Sequence, residues 1–248
     1  MSTTQLELKS VRHVDGMAEH EVAGLVDHSM MRAIYVYEAP VRLWHWVTAV
    51  SVFVLIPTGF LIGRPLPSVQ GEASDWYVMG YVRLAHFIAA YVFAIGFVAR
   101  VYWHFVGNRW SRQLFTPKIL LRKFWSDLVH QIGFYLFLTR ESRQYVAHDP
   151  LANLAMSVMY GLLGLWMIVI GFTLYSEGAG RDSWAYAVFG WVTNVFPNSM
   201  DLHTYHRYGM YLMLIFTLVH VYMVFREDVY TRQSIMSTMV NGYRYFKD

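Results

Sequence analysis

Hydrophobic and polar positions fall into long blocks along this chain rather than into alternations. No charged side chain lies between Arg42 and Arg64, between Arg83 and Arg100, between Asp149 and Glu177, or between Arg207 and Arg226. A membrane helix needs about 20 mainly apolar residues. Each block supplies one, at about 43–62, 81–104, 151–174 and 205–225, so the pattern predicts an all-α, integral membrane four-helix bundle. Arg100 lies in the second span and must either snorkel toward the helix end or face the bundle interior. Pro57 and Gly59 predict a kink near the exit of the first span. A fifth apolar pattern is different in kind. In KILLRKFWSDLVHQIGFYLFLT (118–139), Ile119, Leu120, Phe124, Leu128, Ile132 and Tyr135 recur near helical spacing. Four charges in its first ten residues argue against a further span, so the segment is expected to be an amphipathic helix on the membrane surface.

The first 33 residues are polar and lack an apolar run behind a basic start, so they do not read as a secretory signal. They are expected to be a loosely ordered tail, with residues 34–248 forming a single membrane domain.

Composition sharpens this picture. Charged residues make up 15% of the chain, against about 25% in soluble domains. There is no cysteine. That excludes disulfides, thiolate-held iron–sulfur clusters and covalently attached c-type haem. The net charge of +3 does not call for nucleic acid, because the basic residues sort by loop. Lys9, Arg12, Arg32 and Arg42 precede the first span. Arg109, Arg112, Lys118, Arg122, Lys123, Arg140 and Arg143 lie between the second and third, and Arg226, Arg232, Arg244 and Lys247 follow the fourth. The other two loops carry fewer basic residues, some beside acidic ones. The positive-inside rule therefore expects a multi-pass protein of the inner membrane with both termini cytoplasmic.

Histidines inside the spans carry the chemistry. An ionisable residue in hydrocarbon is costly and points to function. His45 is in the first span, His86 in the second, and His206 and His220 in the fourth. His206 and His220 are 14 residues apart. That is about 21 Å along a helix and within roughly 40° of the same face. Depth then pairs His45 with His220 on the cytoplasmic side and His86 with His206 on the other. Zinc would want three or four ligands. No Asp or Glu lies inside any span, which argues against a carboxylate proton relay or a cation transporter. Haem iron takes two axial imidazoles, so two bis-histidine b-type haems are the economical reading. VRLWH (41–45) and VRLAH (82–86) each put an arginine, Arg42 or Arg83, three residues before the histidine, where it could meet a haem propionate. The bland reading of any one of these histidines is an interfacial side chain bonded to backbone. His104 and His148 read as boundary residues. His203 fits the stripe less well. His13, His20, His28 and His130 read as solvated. Trp and Tyr near the span ends read as an aromatic belt. Gly96, Gly161, Gly164 and Gly209 offer close approach of helices or of a cofactor edge.

YVYEAPVRLWHW (35–46), MGYVRLAHF (79–87), GNRWSRQLF (107–115), HDPLA (148–152) and the run from His206 to Arg244 together resemble the b-type cytochrome subunit of membrane-bound nickel–iron uptake hydrogenases. The wider superfamily includes formate dehydrogenase cytochrome subunits. The resemblance spans residue 33 to the C-terminus. It implies an anchor and electron-transfer subunit, working with the hydrogenase small (iron–sulfur) and large subunits. Electrons would pass from the small subunit through an outer and an inner haem to membrane quinone, menaquinone or ubiquinone. His86 and His206 would be the outer-haem ligands, His45 and His220 the inner-haem ligands, and quinone would bind near the inner haem. Residues 76–86 and 171–184, with Glu177, Arg181 and Asp182, are expected docking surfaces. Two alternatives stay open from the sequence: the cytochrome b subunit of a formate dehydrogenase or similar oxidoreductase, and a haem-free anchor or metal transporter.

Overall fold

The structure, a computed structural model, describes residues 31–67, 72, 76–117, 119–139, 145–231 and 234–247. Four long helices dominate it: α1 (Ala39–Gly63), α2 (Val78–Val106), α4 (Pro150–Ala179) and, after two shorter helices, α7 (Ser199–Thr231). Each is long and apolar enough to cross a membrane. Their outward side chains are large and apolar, with Phe53 80%, Ile95 68%, Leu162 68% and Leu218 63% exposed. Water would not tolerate such a surface, whereas lipid satisfies it. α1 packs on α2, α2 on α4, α4 on α7 and α7 back on α1, a closed four-helix bundle.

Each helix overruns the predicted span because hydrocarbon thickness sets only the apolar core of a helix, not its ends. α4 starts at a designed stop. The Asp149 carboxylate accepts from the Leu151 and Ala152 amides, both at 2.9 Å, and Pro150 fills the first helical position, where no amide is needed. α1 continues through Pro57 as one helix. α4 contains a π-helical stretch at Ser157–Leu163 that the sequence pattern does not announce. Extra turns of this kind often re-aim a side chain at a functional site.

Between the second and third spans, α3 (Arg122–Tyr135) forms inside the expected amphipathic segment 118–139. Phe124, Leu128 and Phe134 are buried, and Trp125 and Val129 are exposed. Arg226 of α7 holds this region to the bundle. Its guanidinium lies 5.0–5.2 Å from the rings of Phe134, Tyr135, Phe137 and Tyr230. On the far side of the bundle, α5 (Trp184–Phe189) and α6 (Val192–Val195) join α4 to α7, sealed by Ile170, Val192 and Leu202.

One small sheet departs from the all-α expectation. β1 (Met31–Tyr35) pairs antiparallel with β2 (Tyr243–Lys247), with Tyr35 opposite Tyr243, so residues 31–33 of the expected tail lie in a strand. Residues 1–30 of that tail lie outside the described residues. α8 (Ile235–Asn241) leads into β2 through Gly242, whose φ is +88°. A side chain there would be strained, and its Cβ would fall 2.7 Å from the Tyr37 carbonyl. The sheet ties residues 31–35 and 243–247 together at one end of the bundle. Val36, Tyr37, Val41 and Ala147 form a buried cluster beside it. Glu38 joins it to α2, accepting from the Trp103 indole at 2.9 Å and the Asn108 amide at 3.0 Å.

Candidate functional site

The bundle brings the four span histidines together as two pairs. His45 on α1 and His220 on α7 have ring centroids 6.4 Å apart, near the end that carries the sheet. His86 on α2 and His206 on α7 are also 6.4 Å apart, near the opposite end. The ring planes are inclined by 50° and 72°. A transition-metal–imidazole bond is about 2 Å, so two such bonds in line, with half a ring at each side, span roughly 6 Å. Rotation about that axis leaves the ring angle free, so both centroid separations match a metal held between the rings. Among the described residues no group of three or more His, Cys, Asp or Glu gathers. The donor set is therefore two imidazoles per site, which suits haem iron.

Other observations fit a flat group held there. His45 Nδ1 and His206 Nδ1 are buried with no hydrogen-bond partner among the described residues. A Cβ on Gly59 of α1 would stand 3.2 Å from His86 Cε1, and one on Gly171 of α4 would stand 3.2 Å from His206 Cε1. The opposite pair bridges α2 and α7 across the bundle, so a glycine on each flanking helix leaves the room its imidazoles need. Neither glycine is among those the sequence singled out for close approach.

Thr58 is a further residue missed from the sequence. Its hydroxyl is 2.6 Å from the Val54 carbonyl, to which it donates, and 2.9 Å from His86 Nδ1. The threonine oxygen therefore accepts from Nδ1–H. That fixes the tautomer and leaves the Nε2 lone pair for a metal. Orienting partners of this kind usually matter by about 10–100-fold in metal affinity. A haem held between His86 and His206 would be retained less well in Thr58→Val, on that scale, read as haem per chain after detergent washing. Its intramembrane neighbour Gly59 would have hinted at crowding, but nothing in the sequence aligns Thr58 with His86.

The arginines divide. Arg42 donates through Nη1 to the Val240 carbonyl, tying α1 to α8, and its Nε is buried without a partner among the described residues. Arg83 is exposed. At the same end, Arg207 of α7 lies over Gly63 of α1, bonded at 3.5 Å to its carbonyl, and with Arg64 lines a small cavity reaching to Gly59 and Met210. His203 is exposed and its Nδ1 donates to the Ser199 carbonyl at 2.9 Å, an ordinary helix bond. His130 departs from the solvated reading, because its Nδ1 is buried without a partner among the described residues. His13, His20 and His28 lie outside the described residues. Of the expected docking surfaces, Glu177 accepts from the Ser199 hydroxyl at 2.7 Å, and Arg181 and Asp182 are exposed.

His148 is more than a boundary residue. Its ring is 3.0 Å from the Tyr37 hydroxyl. Burial, reinforced by the Arg244 charge, holds its pKa down at about 3. Burial likewise raises the Tyr37 hydroxyl above its ordinary range. Both stay neutral, and the electrostatic reach of His148 extends to His220 and His45.

Comparison with known proteins gives the chain a family. The family model of prokaryotic cytochrome b561 matches residues 36–242. A protein of Azotobacter vinelandii is 53% identical over 87% of this chain and 90% of its own length. One of Cupriavidus necator is 45% identical over 99% of this chain and 100% of its own. One of Escherichia coli K12 is 46% identical over 86% and 91%. The first two carry the name "Probable Ni/Fe-hydrogenase B-type cytochrome subunit", and the third the same name with the numeral 1. Four membrane-crossing helices, paired imidazoles at both ends and these likenesses converge: the chain belongs to the prokaryotic cytochrome b561 family, among the Ni/Fe-hydrogenase B-type cytochrome subunits.

Proposed function

We propose that this chain is the membrane anchor and electron-transfer subunit of a hydrogen-oxidising nickel–iron hydrogenase, delivering electrons to menaquinone or ubiquinone. The observation that carries the proposal is the pair of facing histidine couples, each 6.4 Å between ring centroids, at opposite ends of one apolar bundle. His45 with His220, and His86 with His206, would each hold one b-type haem. Haem iron supplies one-electron chemistry when bound. The chain supplies the rest. Its imidazoles present nitrogen lone pairs, Thr58 orients His86, and the apolar bundle excludes water. Arg42 and Arg83 are proposed as cations toward the propionates. The 14-residue separation on α7 sets the two sites about 21 Å apart, most of a hydrocarbon thickness of about 30 Å.

The basic loops argue for an inner-membrane protein with both termini cytoplasmic. The sheet of β1 and β2 supports this, because it holds the segments before α1 and after α8 on one side. The His86–His206 end then faces outward, toward the small and large hydrogenase subunits. The His45–His220 end faces the cytoplasm, where quinone would bind.

Tagging this chain and purifying it from mild detergent tests the assignment. A nickel-containing large subunit and an iron–sulfur small subunit should come with it, and hydrogen gas should raise the reduced b-type α-band. Reduction by formate but not by hydrogen would assign the chain to a formate dehydrogenase instead. A reduced sample without a b-type α-band would return it to a haem-free anchor.

A further inference from the structure

Arg100 sits where a bundle of this kind should not hold a charge. It is 6% exposed. Its Nη2 donates to the Ser111 carbonyl at 2.6 Å, and its Nη1 is buried with no partner among the described residues. The guanidinium lies 5.6 Å from the Phe115 ring centroid. A guanidinium stays charged in a protein. A buried charge costs several kcal/mol unless an opposite charge meets it. The ionisable neighbours that act on Arg100 most are Tyr160 and Tyr37, and neither is a carboxylate. Arg244, buried to the same degree nearby, differs: Glu227, Asp149 and Asp228 all act on it.

Position says what anion could meet Arg100. Arg100 follows His86 by 14 residues on α2, the same interval that separates His206 from His220 on α7. It therefore shares the face of His86 within roughly 40° and lies about 21 Å further along. The Trp44 and Trp103 rings are 5.6 Å apart, and a Cβ on Gly96 would stand 3.9 Å from Thr48 Oγ1. Those contacts run α2 antiparallel along α1 and bring Arg100 level with His45. His148 feels the charges of Arg100, His220 and His45 together, so all four lie around one region.

We propose that Arg100 is the cation that binds a carboxylate of the porphyrin held between His45 and His220. The planar guanidinium already spends one nitrogen on Ser111 and keeps another for a carboxylate oxygen. The π-helical stretch of α4 carries Tyr160, one of the tyrosines acting on Arg100, and so lies beside the guanidinium. This inference rests on the two-haem reading. It adds a residue that the VRLWH and VRLAH echo does not contain.

Arg100→Gln and Arg100→Lys decide it, with the exposed Arg109→Gln as control. Haem per chain and both haem midpoint potentials are measured in the purified hydrogenase complex. In Arg100→Gln, one midpoint potential falls, because reduced haem loses a stabilising positive charge, or haem per chain drops from two to one. Arg100→Lys keeps two haems and shifts less, and Arg109→Gln matches the wild type. If Arg100→Gln does not accumulate, Arg100→Lys decides through its pH profile: one midpoint potential that falls at alkaline pH, as the lysine loses its charge, while the wild type's does not, supports the assignment, and pH profiles identical to the wild type reject it. Two haems with both potentials unchanged in Arg100→Gln would mean that Arg100 merely anchors residues 107–115 through Ser111. A wild-type complex without haem would sink the two-haem reading itself, a result distinguishable from that one.

Discussion

Replacing His220 with alanine is expected to remove one of two haems and to stop hydrogen-driven quinone reduction. His220 is the partner of His45 at 6.4 Å, so its loss leaves His45 as the single histidine of that pair. His148 lies within electrostatic reach but is engaged with the Tyr37 hydroxyl at 3.0 Å. The loss should exceed the roughly 10–100-fold that removing an orienting partner costs. The bundle itself should survive, because His220 contributes no hydrogen bond to helix packing among the described residues. Haem per chain falls by half, while the remaining α-band is still raised by hydrogen, because the His86–His206 end is intact. Unchanged haem content in this variant would reject His220 as a ligand.

His86→Ala gives the opposite pattern. The site bridging α2 and α7 is lost, together with the Thr58 contact at 2.9 Å that orients it. One haem remains, at His45 and His220. Dithionite should reduce it, whereas hydrogen should not, because on the proposed route electrons enter from the partner complex at the lost site. Equal responses to hydrogen in the two variants would contradict the assignment of one end to entry and the other to exit.

Much of this was legible in the sequence, and the reasons are physical. A hydrocarbon layer demands uninterrupted apolar runs, so the absence of charge between Arg42 and Arg64, or between Asp149 and Glu177, locates helices directly. Helical periodicity then carries His206 and His220 to one face. Cysteine count and the lack of intramembrane carboxylates narrowed the chemistry to paired imidazoles. What stayed hidden is non-local. Nothing in MRAIY predicts pairing with YRYFK more than 200 residues later. Thr58 and Gly59 matter only because α1 lies against His86, and Gly171 only because α4 lies against His206. The π-helical turn at Ser157–Leu163 depends on packing rather than on composition. Arg100 stood between the two: the sequence left it either at the helix end or in the interior, and burial chose the interior. The interval it shares with the α7 histidines was there to be read.

The most direct test of the central claim is haem stoichiometry by pyridine haemochrome on the purified chain, for wild type, His220→Ala and His86→Ala side by side. The account predicts two b-type haems per polypeptide in the wild type and one in each variant. No haem in the wild type, or two haems persisting in either variant, would contradict it.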